Sequence, residues 1–579
     1  MTSPSASWEK NWKLMSTCFT DSEINFIQSA IRQMTVQNVV YCSFENRFAK
    51  SGGLAAVTTK ILPYLKETAG IPNVVLMTPF YSKISDASKL KDTGIRFLVP
   101  YSFYDVEVSL LEYKWEYEFP NQGSVTEYYL KADEYFDASN HINDPYLYIE
   151  ENPRANNEAL QHNALFFCQA APLALKALGI VENVVLHLQD WQTALLSLTA
   201  KQAMLTGVLK SCATVQTMHN AFDTGISWAL LADIFSTSQL QKLHKLYDDP
   251  PTAFQLGLQF VDGPLNTVSD HFADEFTTDI MQSQHFAPHL QDIFNWNGVY
   301  GVNNGMFVDF APEFANKPRM GIRQIETIKL QKRHALLDVL DNYIPKERFG
   351  LLTYKGESIR HLPDDVPILV MSGRLDPVQK GFDILLRAMS QFAEDEIKLV
   401  LTPMPVRDSD LDIFRNVASE CAGNITVYPI RMQQGFRELQ MGSTFGIMPS
   451  VYEPFGAAVE YMANGTLNIA RATGGLVDQI DNGVNGILFR EADTAYTLKY
   501  IKKFAYAAEN VDERADNPWM KDMVDSLVET LKAAITLYQQ HPDSYYRMIL
   551  NGLKRVREFS WERTAQRYIT LFQKVNKGF

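Results

Sequence analysis

Apolar residues along this chain fall into two alternating patterns. Short apolar runs at residues 38–43, 74–79, 184–188 and 214–218 recur in the second half at 368–372, 398–402, 425–429 and 467–470. Unbroken runs of this kind read as strands covered on both faces. Between them lie stretches with helical spacing: 54–65, 163–178, 323–340, 531–538 and 543–556, preceded by Ile24, Ile27 and Ile31 on one early helix. Residues 95–130 differ. They alternate and are rich in aromatics (Tyr101, Phe103, Tyr113, Trp115, Tyr117, Tyr128, Tyr129), so they read as antiparallel hairpins at the edge of the first sheet. Repeated strand–helix alternation predicts an α/β protein with doubly wound parallel sheets.

Length makes this more than one domain, because 579 residues exceed what a single core accommodates. Composition is ordinary for a globular protein, at 46% hydrophobic and 21% charged. A net charge of −14 argues against a nucleic-acid partner and does not favour anionic membranes. Cys18, Cys42, Cys168, Cys212 and Cys421 are scattered, which indicates neither a zinc site nor a disulfide framework. No apolar run approaches the roughly 20 residues of a membrane span, and the first residues carry no secretory core. A cytoplasmic protein is expected. Residues 510–525 are acidic and read as a surface insertion.

The candidate chemistry lies at strand ends and glycine loops. Glu45 and then Lys50-Ser51-Gly52-Gly53-Leu54 follow the first strand. In the second half, Glu453-Pro454-Phe455-Gly456 leads into a helical stretch with Glu460, and Thr473-Gly474-Gly475-Leu476 opens another. N–H groups at a helix start are unpaired and lie at the positive end of the macrodipole, so they suit phosphate. A tight turn explains either Gly-Gly pair alone about as well. An acid beside such a cradle points to a sugar carried on a phosphate, with the acid gripping hydroxyls. Arg374 and Lys380, between a strand and a helix start, suit a diphosphate: one binds in bidentate fashion, the other as a point charge. His187, Asp190, His219 and Asn220 stand at strand C-terminal ends, where ligands of open parallel sheets collect. Taken singly, a strand-end histidine is more often structural.

As a set, these segments resemble the glycogen and starch synthase family of retaining GT-B glycosyltransferases. Residues 50–54 are similar to its KxGGL loop, 187–193 to HxxDW(H/Q)T, and 217–225 to TxHNxxxxG. Residues 266–276 are similar to TVSxxYAxEI, read as a strand end and a helix capped by Ser269 or Asp270. Residues 301–305 resemble the GxxNGxD turn, 374–381 the RxxxQKG segment with one extra residue, and 559–568 the terminal FSWExxAxxY helix. The likeness spans about residues 38–572. It implies two Rossmann-like domains facing a cleft: an extension at 1–36, an acceptor-side domain at 37–315, a nucleotide-sugar domain at 316–555, and a helix at 556–579 crossing back.

The resemblance further implies glucose transfer from ADP- or UDP-glucose to an α-1,4-glucan, without metal or other cofactor. His219, Glu453, Arg374 and Lys380 fall on its catalytic positions. Lys50, Gly52, Gly53 and Asn304 fall on donor contacts in the first half. Met432, Phe455, Gly456, Glu460, Thr473, Gly474, Gly475 and Leu476 do so in the second. Asp190, Trp191 and Asn220 fall on the acceptor side. Met432, with Arg431 and Phe436 nearby, stands where the nucleotide base packs. Two positions depart from the pattern: Ala56 and Phe307 each replace an acid.

Retention requires either a nucleophilic carboxylate under the anomeric carbon or attack on the face the leaving group vacates. With no unambiguous second acid beside Glu453, same-face attack is expected. The departing phosphate then takes the acceptor's proton, while Arg374, Lys380 and the Gly475 N–H stabilise it. Ala56 and Phe307 keep open a related enzyme with another nucleotide-sugar, or with a protein, lipid or small-sugar acceptor. A non-catalytic sugar-binding homologue is the third reading, and the intact Lys50, His219, Arg374, Lys380 and Glu453 speak against it.

Overall fold

The computed structural model describes residues 12–50, 52–81, 86–133, 135–136, 153–315, 320–342, 362–376, 379–404, 421, 423–427, 436–507 and 511–575. The chain forms two compact units. One comprises Met1–Val268, Phe286–Gly305 and Trp561–Phe579, and the other Ser269–His285 and Met306–Ser560.

The first unit is built on a sheet of nine strands among the described residues: β1 (Asn38–Cys42), β2 (Asn73–Pro79), β3 (Lys91–Tyr101), β4 (Tyr104–Tyr117), β5 (Gly123–Lys131), β6 (Val184–Gln189), β7 (Cys212–Met218), β8 (Asn266–Thr267) and β9 (Tyr300–Gly301). Their order is β3-β4-β5-β2-β1-β6-β7-β8-β9. From β5 to β9 every neighbour is parallel, while β3, β4 and β5 form an antiparallel meander on one side. The burial patterns explain the split. Every residue of β6 and β7 is buried, as a strand covered on both faces requires, whereas β3 and β4 alternate. Arg47 covers part of the meander, with its guanidinium 4.2 Å from the Trp115 ring centre and paired to Glu127 at 2.8 Å.

The early helix spans Asp21–Arg32 and buries Ile24, Ile27 and Ile31. Thr20 and Glu23 close a capping box at its start. The last helix, Trp561–Phe572, belongs to the first unit and packs on the Leu54–Ala69 helix. Trp561 stands so close to Gly305 that a Cβ there would lie 2.5 Å from the Trp561 nitrogen.

The second unit carries a six-stranded, wholly parallel sheet among the described residues: β10 (Ile368–Arg374), β11 (Lys398–Met404), β12 (Ile425–Val427), β13 (Phe445–Met448), β14 (Leu467–Arg471) and β15 (Gly486–Phe489), in the order β12-β11-β10-β13-β14-β15. Its core includes Leu336, Ile368, Val370, Tyr461, Leu476 and Val556. The acidic 510–525 stretch is no surface insertion. It holds the Val511–Ala515 helix and the start of the Pro518–Gln540 helix, which buries Trp519, Met520 and Met523. Asp522 and Asp525 lie off the buried stripe of this second, amphipathic helix, which continues through Leu531. All five cysteines are free and buried. No helix among the described residues is long and apolar enough to cross a membrane.

Candidate active site

In the first unit, β6 and β7 present their ends side by side. Asp190 follows β6 at φ +57°, an unusual conformation for a non-glycine residue. That turn aims its carboxylate at β7, where Oδ1 accepts the His219 N–H at 2.7 Å. Burial pushes the Asp190 carboxyl up to about 7. His219 Nε2 lies 2.9 Å from Gln189 Oε1. With that oxygen accepting, Nε2 carries the proton and Nδ1 is left an acceptor. Burial lowers the His219 pKa to about 4, with the charge of Glu45 opposing, so the imidazole is neutral at pH 7. Asn220 closes a local turn by accepting the Phe222 N–H.

Other predicted residues of this unit have different surroundings. His187 lies mid-strand at 0% exposure, ringed by Tyr41, Tyr568 and Phe572 at 4.8, 4.7 and 5.3 Å. Burial lowers its pKa to about 3, and Nε2 donates to the Thr217 hydroxyl at 2.7 Å. It is a core histidine, not a ligand-facing one. Trp191 is likewise buried. Lys50, Gly52 and Gly53 are exposed. Two N–H groups of this glycine loop are already engaged: Glu45 Oε2 accepts from Gly52 at 2.8 Å and from Ala55 at 3.2 Å. The acid after β1 thus holds the helix start that the sequence reading left for phosphate. Asn304 is buried, gives its N–H to the Val268 carbonyl, and has an Oδ1 without a partner.

In the second unit three chain segments converge. Gly381, at φ +67°, lets its turn approach Pro449, whose carbonyl would lie 2.2 Å from a Cβ there. The Val451 N–H then bonds to the Gln379 carbonyl at 2.7 Å. This places Lys380 Nζ 2.7 Å from Glu453 Oε2, which also accepts from Ser450 at 2.9 Å. Arg374 ends β10, its side chain 42% exposed and held only loosely by Asp376 at 3.6 Å. A partly exposed cation at a strand end is suited to receive an anionic ligand.

The loop carrying Glu453 packs on the Thr473-Gly474-Gly475 turn. A Cβ on Gly474, at φ +48°, would sit 1.8 Å from the Glu453 carbonyl oxygen, and one on Gly475 2.4 Å from that of Phe455. The Gly475 N–H donates to the Glu453 carbonyl at 3.0 Å, and the Gly474 N–H to Glu275 Oε1 at 2.7 Å. These glycines hold the loop by close contact, and their N–H groups are not left for a phosphate, which corrects the expected role of the Gly475 N–H. Leu476 is a core residue and Thr473 points to Glu275. At the start of the Ala458–Ala463 helix, just after Gly456 at φ +86°, Ala457 gives no side-chain cap, and the Val459 N–H donates to Gln479 Oε1 at 3.1 Å. Glu460 on that helix is raised to about 7 by burial. Phe455 is buried edge-on against Phe307 and Phe559, each at 6.2 Å, so the aromatic at one of the two departing positions buttresses the loop. Met432 and Arg431 lie outside the described residues.

At 266–278 the expected strand end and helix are present, with Ser269 at the N-cap position of Asp270–Thr278, but the segment's partners in space are not legible in the sequence. Ser269 makes no helix cap with its side chain; its hydroxyl donates to the Pro454 carbonyl at 2.5 Å. The following His271 N–H donates to Asp478, and Glu275 to Gly474 completes the clasp. A motif that reads as local capping in one dimension is in space a brace of the Glu453 loop.

Each unit is an α/β fold on a largely parallel sheet, the terminal helix returns to the first, and a lysine–carboxylate pair is fixed in the second. Residues 38–294 match the starch synthase catalytic domain, and residues 366–505 the glycosyl transferases group 1. Glycogen synthases of Pseudothermotoga lettingae and Lactococcus lactis are each 25% identical, covering 91% of this chain and 96% and 98% of theirs. That of Petrotoga mobilis is 26% identical, covering 92% and 98%. The solved catalytic domain of starch synthase IV from Arabidopsis thaliana, bound to ADP and acarbose, superposes with a TM-score of 0.67 at 18% identity, covering 94% of this chain and 99% of that one. Along nearly its whole length the chain is similar to glycogen and starch synthases.

Proposed function

We propose that this protein moves glucose from ADP- or UDP-glucose to an α-1,4-glucan with retention of the anomeric configuration. The observation that carries the reading is the Lys380–Glu453 pair, in a chain whose near-full-length relatives are glycogen synthases. Glu453, fixed by Lys380 and Ser450, grips sugar hydroxyls. Lys380 and Arg374 take the leaving diphosphate. His219, neutral at pH 7, does not serve as a proton donor. The acceptor hydroxyl attacks the face the phosphate leaves, and the phosphate oxygen takes its proton. The positive charge comes from the two side chains, so the reaction proceeds without a metal or organic cofactor, in the cytoplasm.

The test is transfer from radiolabelled ADP-glucose and UDP-glucose to glycogen and maltooligosaccharides, with and without EDTA. Glucan labelling unaffected by EDTA is the expected result. Donor turnover without glucan labelling would replace the glucan by another acceptor, as Ala56 would then explain. No turnover of any nucleotide-sugar would overturn the reading. Loss with EDTA and recovery with magnesium or manganese would assign the leaving-group charge to a metal.

A further inference from the structure

Glu275 lies on the Asp270–Thr278 helix, buried, and takes no part in the chemistry above. Its Oε1 accepts the Gly474 N–H at 2.7 Å and the Thr473 hydroxyl at 3.4 Å, and its Oε2 is buried without a partner. Gly474 touches the Glu453 carbonyl and Gly475 donates to it, so one residue of turn separates the Glu275 carboxylate from the main chain of Glu453. From this geometry we infer that Glu275 is a positioning residue for glycosyl transfer, holding Glu453 in place through the Thr473-Gly474-Gly475 turn. The inference rests on the proposed function and adds to it a residue that never touches the donor.

The charge environment makes the hold adjustable. Burial, then Asp279, push the Glu275 carboxyl up to about 7, opposed by the Gly474 N–H, Arg471 on β14 and Thr473. His271 faces it from its own helix at 3.5 Å, and Asp478 on the adjoining helix accepts the His271 N–H. An ionised acceptor grips an N–H more strongly than a neutral one, so the brace tightens as pH rises.

Two variants test this. Glu275→Ala should lower kcat about tenfold or more, with donor KM changed less than about threefold, because the defect is misplacement of a group and not loss of a contact. Glu275→Gln, which keeps an acceptor but cannot titrate, should fall between, and the ratio of wild-type to Glu275→Gln kcat should rise as pH passes about 7. A ratio independent of pH, or a loss confined to KM, would overturn the inference. Hydrogen exchange supplies a readout that needs no activity. Both variants should speed exchange in residues 473–480 and also in 449–456. Acceleration confined to 473–480 would show that the brace does not reach Glu453, even if the enzyme proved to use another donor or acceptor. Should Glu275→Ala not fold, Glu275→Gln decides on both measurements.

Discussion

Replacing Arg471 by Met should destabilise the second unit far more than an ordinary side-chain change. Arg471 ends β14 and Glu491 follows β15, their side chains 4% and 1% exposed. The guanidinium donates to both Glu491 oxygens, through Nε at 2.8 Å and through Nη2, and its Nη1 reaches the Val451 carbonyl at 2.7 Å. Trp519 Nε1 gives Glu491 one further bond at 3.0 Å. With Arg471 gone, a buried carboxylate loses its counter-charge and keeps only the Trp519 bond and one to its own backbone N–H, which costs about 3–5 kcal/mol. Such a loss is a large fraction of the ~5–15 kcal/mol that stabilises a typical domain. Arg471→Met combined with Glu491→Leu should recover most of it, since exchanging a whole buried pair for apolar residues is close to neutral. Urea unfolding midpoints at unchanged slope measure the cycle. Acid gives an independent check. Burial works to raise the Glu491 carboxyl, but the charge and hydrogen bonds of Arg471 outweigh it and hold it down at about 2, against an ordinary 4.5. The folded value is the lower one, so the stabilisation is complete above about 4.5 and disappears as pH falls towards about 2. A single-variant loss under about 1 kcal/mol, or a double variant no better than the single, would refute the reasoning.

Lys380→Ala should cut kcat/KM by about 100- to 1000-fold in steady-state transfer assays. Gly474→Ala forces a methyl to 1.8 Å from the Glu453 carbonyl at φ +48°; the expected outcome is a loss of about 1–3 kcal/mol by urea unfolding and a fall in kcat. Lys329 is buried with its ammonium on the Met441 and Ser443 carbonyls and the Thr466 hydroxyl, and burial lowers its pKa from 10.5 to about 7. The unfolded chain therefore binds the extra proton, and stability should rise between about pH 7 and pH 10.5, a slope that Lys329→Met removes in thermal melts.

Much of this architecture was legible because it rests on patterns that neighbours in sequence share. Strand runs, the Ile24–Ile27–Ile31 stripe and the strand-end cations are local signals, and the folded chain keeps Lys380 and Glu453 together as their motifs implied. What one dimension hides is which partner a group chooses. The Gly52 and Gly474 N–H groups looked available, yet each is taken by a buried glutamate: Glu45, seven residues earlier in the same connection, and Glu275, 199 residues away. His187 carried the same strand-end signal as His219, and only the three rings around it, two of them almost 400 residues away, separate core from site. The acidic 510–525 stretch misled because charge was counted without the helical phase that buries Trp519.

The return of the Trp561–Phe572 helix to the first unit also sets an order of events during biosynthesis. Tyr568 and Phe572 close over His187, yet they are made about 250 residues after Gly305, the last earlier residue of that unit. At translation speeds of roughly 5–20 residues per second, the nascent sheet waits on the order of 10–50 s with an apolar groove uncovered. For that interval the emerging polypeptide is a substrate for chaperones, and shortening the gene from its 3′ end would make the exposure permanent.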